Sequence, residues 1–206
     1  MRFSGIASIS RLAAATAAAF ASTAIAGGAV QAAPASQDTV NVVVFGTGAL
    51  VAPGIATSTL VRNDNGVAMT VHTVGLPADT ADTVWWVIFN NPAACSHGMG
   101  GTRCGLGDLK VAAVRASVQF AAGHVIASDG VGDYGGYLRE GDASDCASAA
   151  LPCNGLISAR GADIHLVVRT HGAPIPGSID DQIHSFNGGC PPNSCANLQA
   201  APHEAN

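Results

Sequence analysis

The stretch Gly161-Ala-Asp-Ile-His-Leu-Val-Val-Arg-Thr-His-Gly172 contains the clearest strand in the chain, and the prediction of the fold starts from it. Its centre is rich in β-branched and leucine side chains, and glycine bounds it at both ends. Side chains alternate between the two faces of a strand. The pattern therefore predicts a strand whose core face is formed by Ile164, Leu166 and Val168.

Short segments of the same kind recur along the chain, separated by turns rich in glycine, proline, asparagine and aspartate. They lie at residues 39–45, 56–62, 67–74, 83–90, 111–120, 123–127, 134–139 and 196–202. Asn65-Gly66 predicts a β-hairpin over residues 56–74. A helix is predicted only over residues 178–186. The sequence therefore predicts an all-β fold, an antiparallel β-sandwich of about eight strands with disulfide-stapled loops and at most one short helix.

Residues 1–32 have the pattern of a secretory signal peptide. Two arginines give a positive start, and the apolar run at residues 12–26 is too short to span a bilayer comfortably. The small residues that follow allow cleavage after Ala26 or after Ala32. No second stretch of spanning length follows, so we expect an exported protein, periplasmic or extracellular, with no transmembrane segment after signal removal.

The mature chain, residues 33–206, is predicted to form a single β-sandwich domain with a short disordered tail at residues 33–38. Loss of Arg2 and Arg11 leaves 7 of the 9 basic side chains against all 14 acidic ones, a net charge of −7 with histidine neutral. Lys110 is the only lysine. The chain therefore lacks the basic surface that binding to nucleic acid or anionic lipid requires.

The six cysteines form three close pairs, and an even number in an exported chain indicates disulfides. The spacing favours bonds between neighbours, each of which closes one loop: Cys95 with Cys104, Cys146 with Cys153, and Cys190 with Cys195. A metal-thiolate site is the alternative. The absence of a Cys-x-x-Cys motif and the oxidising compartment disfavour it.

Histidines are the candidate metal ligands, since imidazole suits copper and zinc. His165 and His171 share one face of the predicted strand, but a straight strand holds them about 20 Å apart. A turn at Thr170 would shorten that distance, and His72 or His97 would supply a further ligand. The alternative is a polar strand face without metal, in which His165 is hydrogen-bonded to a neighbour.

Trp85, Trp86 and Arg169 are the candidates for a binding surface. Adjacent tryptophans in a strand point to opposite faces, so at least one lies in a core. The other lies under a loop or in an exposed aromatic patch, which would mark a partner or carbohydrate surface. Arg169 is expected either at such a surface or paired with an aspartate.

Three segments resemble a group of exported bacterial proteins of unknown function: residues 83–95, 162–172 and 188–195. The order of elements is more distantly similar to chordin-type (CHRD) domains, which are extracellular β-sandwich modules. In those domains a Gly-Leu turn leads to a strand with a His-x-His pair, whereas here Gly75-Leu76 leads to the two tryptophans.

The last long strand of chordin-type domains carries His-Thr before a Pro-Gly turn and a later glutamine. Here Arg169-Thr170 stands at that place, followed by His171, Pro176-Gly177 and Gln182. The resemblance therefore implies the sandwich fold, and the departures at the histidines mean that it implies no shared ligand.

Motifs of hydrolytic and phosphate-binding enzymes do not occur: there is no Gly-x-Ser-x-Gly, no His-Glu-x-x-His and no glycine-rich phosphate loop. A pair of aspartates as acid and base is the remaining enzymatic hypothesis. We therefore expect an exported, disulfide-stabilised, non-enzymatic binding or structural module for a protein or small ligand. The alternative is a small copper- or zinc-binding protein using His165, His171 and His72.

Overall fold

The structure is a computed structural model that describes residues 33–98 and 100–205. The predicted signal peptide therefore lies outside the described residues. Nine strands and one short helix are present in the described part: β1 (Ser36–Asn41), β2 (Val43–Val44), β3 (Thr57–Asn63), β4 (Gly66–Thr73), β5 (Ala81–Phe89), β6 (Ala116–Val125), β7 (Gly132–Arg139), β8 (Asp163–Thr170), α1 (Ile179–His184) and β9 (Ala196–His203).

Two antiparallel sheets form the fold, one in the order β1-β3-β4-β7 and the other in the order β2-β9-β8-β5-β6. This confirms the prediction of an all-β fold with antiparallel sheets and one short helix. The hairpin is also confirmed, because β3 and β4 pair from Thr57 with His72 to Asn63 with Gly66. The Asn63 side chain closes its turn by accepting hydrogen bonds from the backbone N–H groups of Asn65 and Gly66.

Three strand boundaries differ from the sequence predictions. The segment 39–45 is split at Val42, and its two parts join different sheets. Residues 36–38 begin β1 rather than belonging to a tail, since they pair with β3. Residues 111–120 and 123–127 contribute to one strand, β6, which follows a short 3-10 turn.

The main core lies between the two sheets. The predicted core face of β8, namely Ile164, Leu166 and Val168, is buried there together with Trp86 and Leu60. Burying such side chains contributes about 2–3 kcal/mol each. Alternation along the central strands therefore places one half of their side chains in this core, as predicted.

The other face of the five-stranded sheet carries a second apolar layer. Trp85, Val87 and Phe89 of β5 pack there with Val118 and Val167 under loops that carry the cysteines. The alternative of a polar β8 face with a hydrogen-bonded His165 is therefore wrong, because the face is covered and His165 Nε2 has no hydrogen-bond partner. Loops distant in sequence cover that face, and period-two alternation carries no information about them.

All three neighbouring cysteine pairs are disulfides, as predicted. Their Cα–Cα distances are 5.2, 5.7 and 5.9 Å, which are ordinary for the bond. In the described residues, no helix is long and apolar enough to cross a membrane.

Candidate functional site

Two apolar cavities lie on the outer face of the five-stranded sheet, and we call them together the outer cleft. Their volumes are about 70 Å³ and 250 Å³. Both are lined by Val87, Val167 and Leu106, so the two cavities are adjacent. Leu106 follows the loop of the Cys95–Cys104 disulfide by two residues and remains 42% exposed, so it lies at the mouth of the cleft.

Trp85 belongs to this region, and Trp86 does not. Trp85 lines the larger cavity, is 2% exposed and packs edge-on against Phe120 and Phe186. Trp86 is 1% exposed and lies in the main core. Neither tryptophan therefore forms an exposed aromatic patch. Trp85 lines the cleft and also a neighbouring pocket together with Phe120 and His184.

His165 lines the smaller cavity and contributes its main polar feature. Its Nε2 atom is buried and has no hydrogen-bond partner, while its ring packs edge-on against Phe89 with 5.0 Å between ring centres. Burial lowers the pKa of His165 to about 4, so the ring is neutral at pH 7. A buried polar atom without a partner costs about 1–3 kcal/mol, and a ligand that pairs with it recovers this energy.

His171 is fully buried just after β8, within a complete hydrogen-bond chain. Trp85 Nε1 donates to Thr83 Oγ1, which lies 2.9 Å from His171 Nε2, and His171 Nδ1 lies 2.9 Å from the carbonyl oxygen of Gly188. A carbonyl only accepts, so Nδ1 carries the proton and Thr83 donates to Nε2. Burial lowers the pKa of His171. This histidine joins β5 to the loop of the third disulfide.

His72 lies apart on the outer face of the four-stranded sheet, where Nδ1 is 2.7 Å from Asp133 Oδ1. Within the described residues, neither group of potential metal ligands contains two of His72, His165 and His171. The structure therefore places the three histidines in separate environments. The copper or zinc site built from them stays a prediction that gains no support from this geometry.

Arg169 stabilises the structure around the cleft. Its Nε donates to the carbonyl oxygen of Phe186, its Nη1 donates to Asn197, and its guanidinium lies 4.3 Å from the centre of the Phe186 ring. Burial lowers the pKa of Arg169. The arginine thus holds Phe186 and Asn197, two residues that line the larger cavity, without an aspartate partner.

Asp108, which sequence reasoning missed, anchors the Cys95–Cys104 loop. Burial alone would raise its pKa, but hydrogen bonds from the N–H groups of Ser96, His97 and Gly105 and from the His97 ring lower it to about 2. The carboxylate is fully buried. Its position two residues after Leu106 means that it fixes the mouth of the cleft. The signal for such an anchor in the sequence was Asp108 three residues after Gly105, which become the third residue and the N-cap of a 3-10 turn.

Ser58, His203 and Asp38 have the order of a catalytic triad, another feature that sequence reasoning missed. Ser58 Oγ lies 2.9 Å from His203 Nε2, and His203 Nδ1 contacts Asp38. However, Ser58 and His203 are 1% and 0% exposed, and the Ser58 hydroxyl also lies 3.1 Å from the carbonyl oxygen of Thr70. A nucleophile must reach its substrate, so this chain is a structural link between the sheets.

Asp82 is a buried acid at the start of β5. Neither carboxylate oxygen has a well-aligned hydrogen-bond partner. Burial raises its pKa, and the nearby hydroxyl groups of Thr170 and Thr80 oppose this rise only in part. The ionised form is therefore disfavoured in the folded protein.

We predict that Asp82→Asn raises the free energy of unfolding at pH 7 by about 1–2 kcal/mol. The folded pKa lies above its ordinary value of 3.8, so the charged carboxylate destabilises the fold at higher pH. This gain in stability should disappear near pH 3, where Asp82 is protonated in both the folded and the unfolded protein. Thermal unfolding at the two pH values measures it, with exposed Asp145→Asn as the neutral control. A loss of stability at pH 7 would contradict the account.

Comparisons with known proteins return no match for this chain. No family model matches it, and no curated protein or solved structure is similar enough to report.

Proposed function

We propose that this protein is an exported, non-enzymatic binding module whose outer cleft holds one small, mainly apolar molecule that carries a hydroxyl group. The observation that carries this proposal is His165, whose side chain lines an otherwise apolar cavity and whose Nε2 is buried without a hydrogen-bond partner. The three disulfides and the signal-peptide pattern of residues 1–32 support export.

The size and enclosure of the cleft favour a small molecule over a protein. The larger cavity, about 250 Å³, is just below the roughly 300–1,000 Å³ of most ligand sites, which are concave and mainly apolar, so only a small molecule fits. Strands β5 and β8 and two disulfide-closed loops contribute to its walls, so little conformational entropy is lost on binding. A protein partner would need a far larger contact area than this cleft offers.

The chemistry of the lining selects the ligand. Among the described residues, no Asp, Glu, Lys or Arg lines either cavity, so a charged ligand would lose its hydration without gaining an opposite charge. A neutral imidazole nitrogen either donates or accepts, depending on the tautomer. A hydroxyl group matches both cases. An alkylphenol or an alcohol of similar size is therefore the ligand class that fits.

The test is a calorimetric titration of the mature protein with 4-ethylphenol and with 4-ethyltoluene, which have the same shape. The phenol is expected to bind with a Kd of about 1 mM or lower. The hydrocarbon should bind about tenfold more weakly, because it leaves Nε2 of His165 unpaired.

Three variants separate the cleft from the rest of the surface. His165→Phe should remove the difference between the two ligands while keeping the fold, and Leu106→Trp should block both by filling the cleft. The matched control, His72→Phe, changes a histidine outside the cleft and should leave both affinities unchanged. Equal binding of the two ligands to the unmodified protein would refute the role of His165.

A further inference from the structure

His171 lies beside the Cys190–Cys195 disulfide, at the end of the five-stranded sheet. Its Nδ1 atom is 3.7 Å from the sulfur of Cys190 and 3.5 Å from that of Cys195. These three atoms all lie within 4.8 Å of one another. Two sulfurs and an imidazole nitrogen are a donor set that zinc prefers.

We propose that the Cys190–Cys195 disulfide masks a zinc site, which forms with His171 when the disulfide is reduced. Zinc–sulfur bonds of about 2.3 Å and zinc–nitrogen bonds of about 2.0 Å at a tetrahedral angle place sulfur and nitrogen about 3.5 Å apart. The two observed nitrogen–sulfur distances already agree with this value. Nδ1 of His171 therefore needs little movement to become a ligand.

The chemistry balances with a thiol or phosphine as reductant. Two electrons break the sulfur–sulfur bond, and two thiols form while a dithiol is oxidised or a phosphine takes up oxygen from water. Zinc then replaces one proton on each thiol, so binding releases two protons and strengthens as the pH approaches the thiol pKa. A water molecule is the natural fourth ligand.

The hydrogen-bond chain around His171 accommodates this change. Nδ1 now donates to Gly188, so its proton must leave and Nε2 must be protonated instead. Nε2 then donates to Thr83 Oγ1, and the Thr83 hydroxyl turns to the carbonyl oxygen of Arg169, which lies 3.5 Å away. Each group in the chain keeps a partner except the Gly188 carbonyl.

The other two disulfides are less suited to metal. No histidine or acidic residue of the described chain lies within ligand distance of both Cys146 and Cys153. Cys95 and Cys104 have Asp108 beside them, but its oxygens already accept four hydrogen-bond donors. The third disulfide is therefore the one at which reduction should create a site.

The experiment titrates Co²⁺ and then Zn²⁺ into mature protein that has been reduced with a phosphine under anaerobic conditions. We expect one Co²⁺ per chain with thiolate-to-cobalt charge-transfer absorption, displaced by Zn²⁺, and no such absorption in the unreduced protein. Absence of the band after reduction would overturn the proposal, as would an equal band without reduction.

Variants assign the ligands. Cys190→Ser with Cys195→Ser should abolish the band, whereas Cys146→Ser with Cys153→Ser should retain it. His171→Asn should weaken Co²⁺ binding at least about tenfold. Circular dichroism checks that each variant folds. If His171→Asn does not fold, the comparison of the band between the two double cysteine variants still identifies the site. Retention of the band in the Cys190 and Cys195 variant would also overturn the proposal. This proposal does not rest on ligand binding in the outer cleft.

Discussion

Trp86→Ala is expected to lower the free energy of unfolding by about 3–5 kcal/mol. The indole is 1% exposed at the centre of β5 and packs in the main core between the sheets. Removing it takes away buried apolar surface and leaves a cavity that the two antiparallel sheets cannot close. For a chain of this size, each kcal/mol corresponds to a decrease in melting temperature of about 2–4 °C.

Thermal and urea unfolding of the mature protein measure this change. Tyr137→Ala is the matched control, since Tyr137 is an aromatic residue that is 57% exposed on β7. Its loss should change stability by less than about 1 kcal/mol. A Trp86 variant as stable as the Tyr137 variant would show that the main core is not where the structure places it.

Asp108→Asn is expected to lower the free energy of unfolding at pH 7 by about 2–4 kcal/mol and to loosen the Cys95–Cys104 loop. The amide group of asparagine would bring N–H donors towards N–H groups of the backbone, and the charge that holds the His97 ring would be lost. Because Leu106 lies between this loop and Asp108, affinity for 4-ethylphenol should fall as well.

The pH dependence of stability gives this prediction a second readout. The folded pKa of Asp108, about 2, is below its ordinary value of 3.8, so its contribution is fully present above about pH 4 and is lost towards pH 2. The difference between the unmodified protein and Asp108→Asn should therefore shrink over that interval. Asp129→Asn, at an exposed turn, should show a much smaller difference. A constant difference from pH 7 to pH 2 would argue against an ionised Asp108.

Local sequence patterns predicted the parts of the fold that depend on local chemistry. Alternation gave the core face of β8, and Asn65-Gly66 gave the β3–β4 hairpin. Short spacing gave the three disulfides, because a loop of a few residues keeps its two cysteines close. Segment 83–90 was predicted as a strand, and strand β5, which covers all but its last residue, is buried on both faces.

Features that join distant parts of the chain were not predictable from one sequence. The sandwich link combines Ser58 with His203, 145 residues later, and Asp38 lies 165 residues from that histidine. The final strand, β9, lies inside its sheet, with the two residues of β2 on one side and β8 on the other. No periodicity encodes such pairings. The resemblance to chordin-type domains stays a prediction.

The position of His165 shows the same limit at the candidate site. Alternation assigned it correctly to the face opposite Ile164, yet that face becomes a closed layer only when loops from residues 94–114 and 147–151 fold over it. Sequence reasoning therefore found the residue and its face but missed the cleft. Burial by distant loops is what places this strand position in an apolar cavity.

The most direct test of the account is ¹⁵N NMR of the histidine rings of the mature protein during titration with 4-ethylphenol. With 4-ethylphenol, the Nε2 resonance of His165 should shift. With 4-ethyltoluene it should not shift by a comparable amount, and the His72 resonances should not shift with either compound. An Nε2 resonance of His165 that does not respond to saturating 4-ethylphenol would contradict the account.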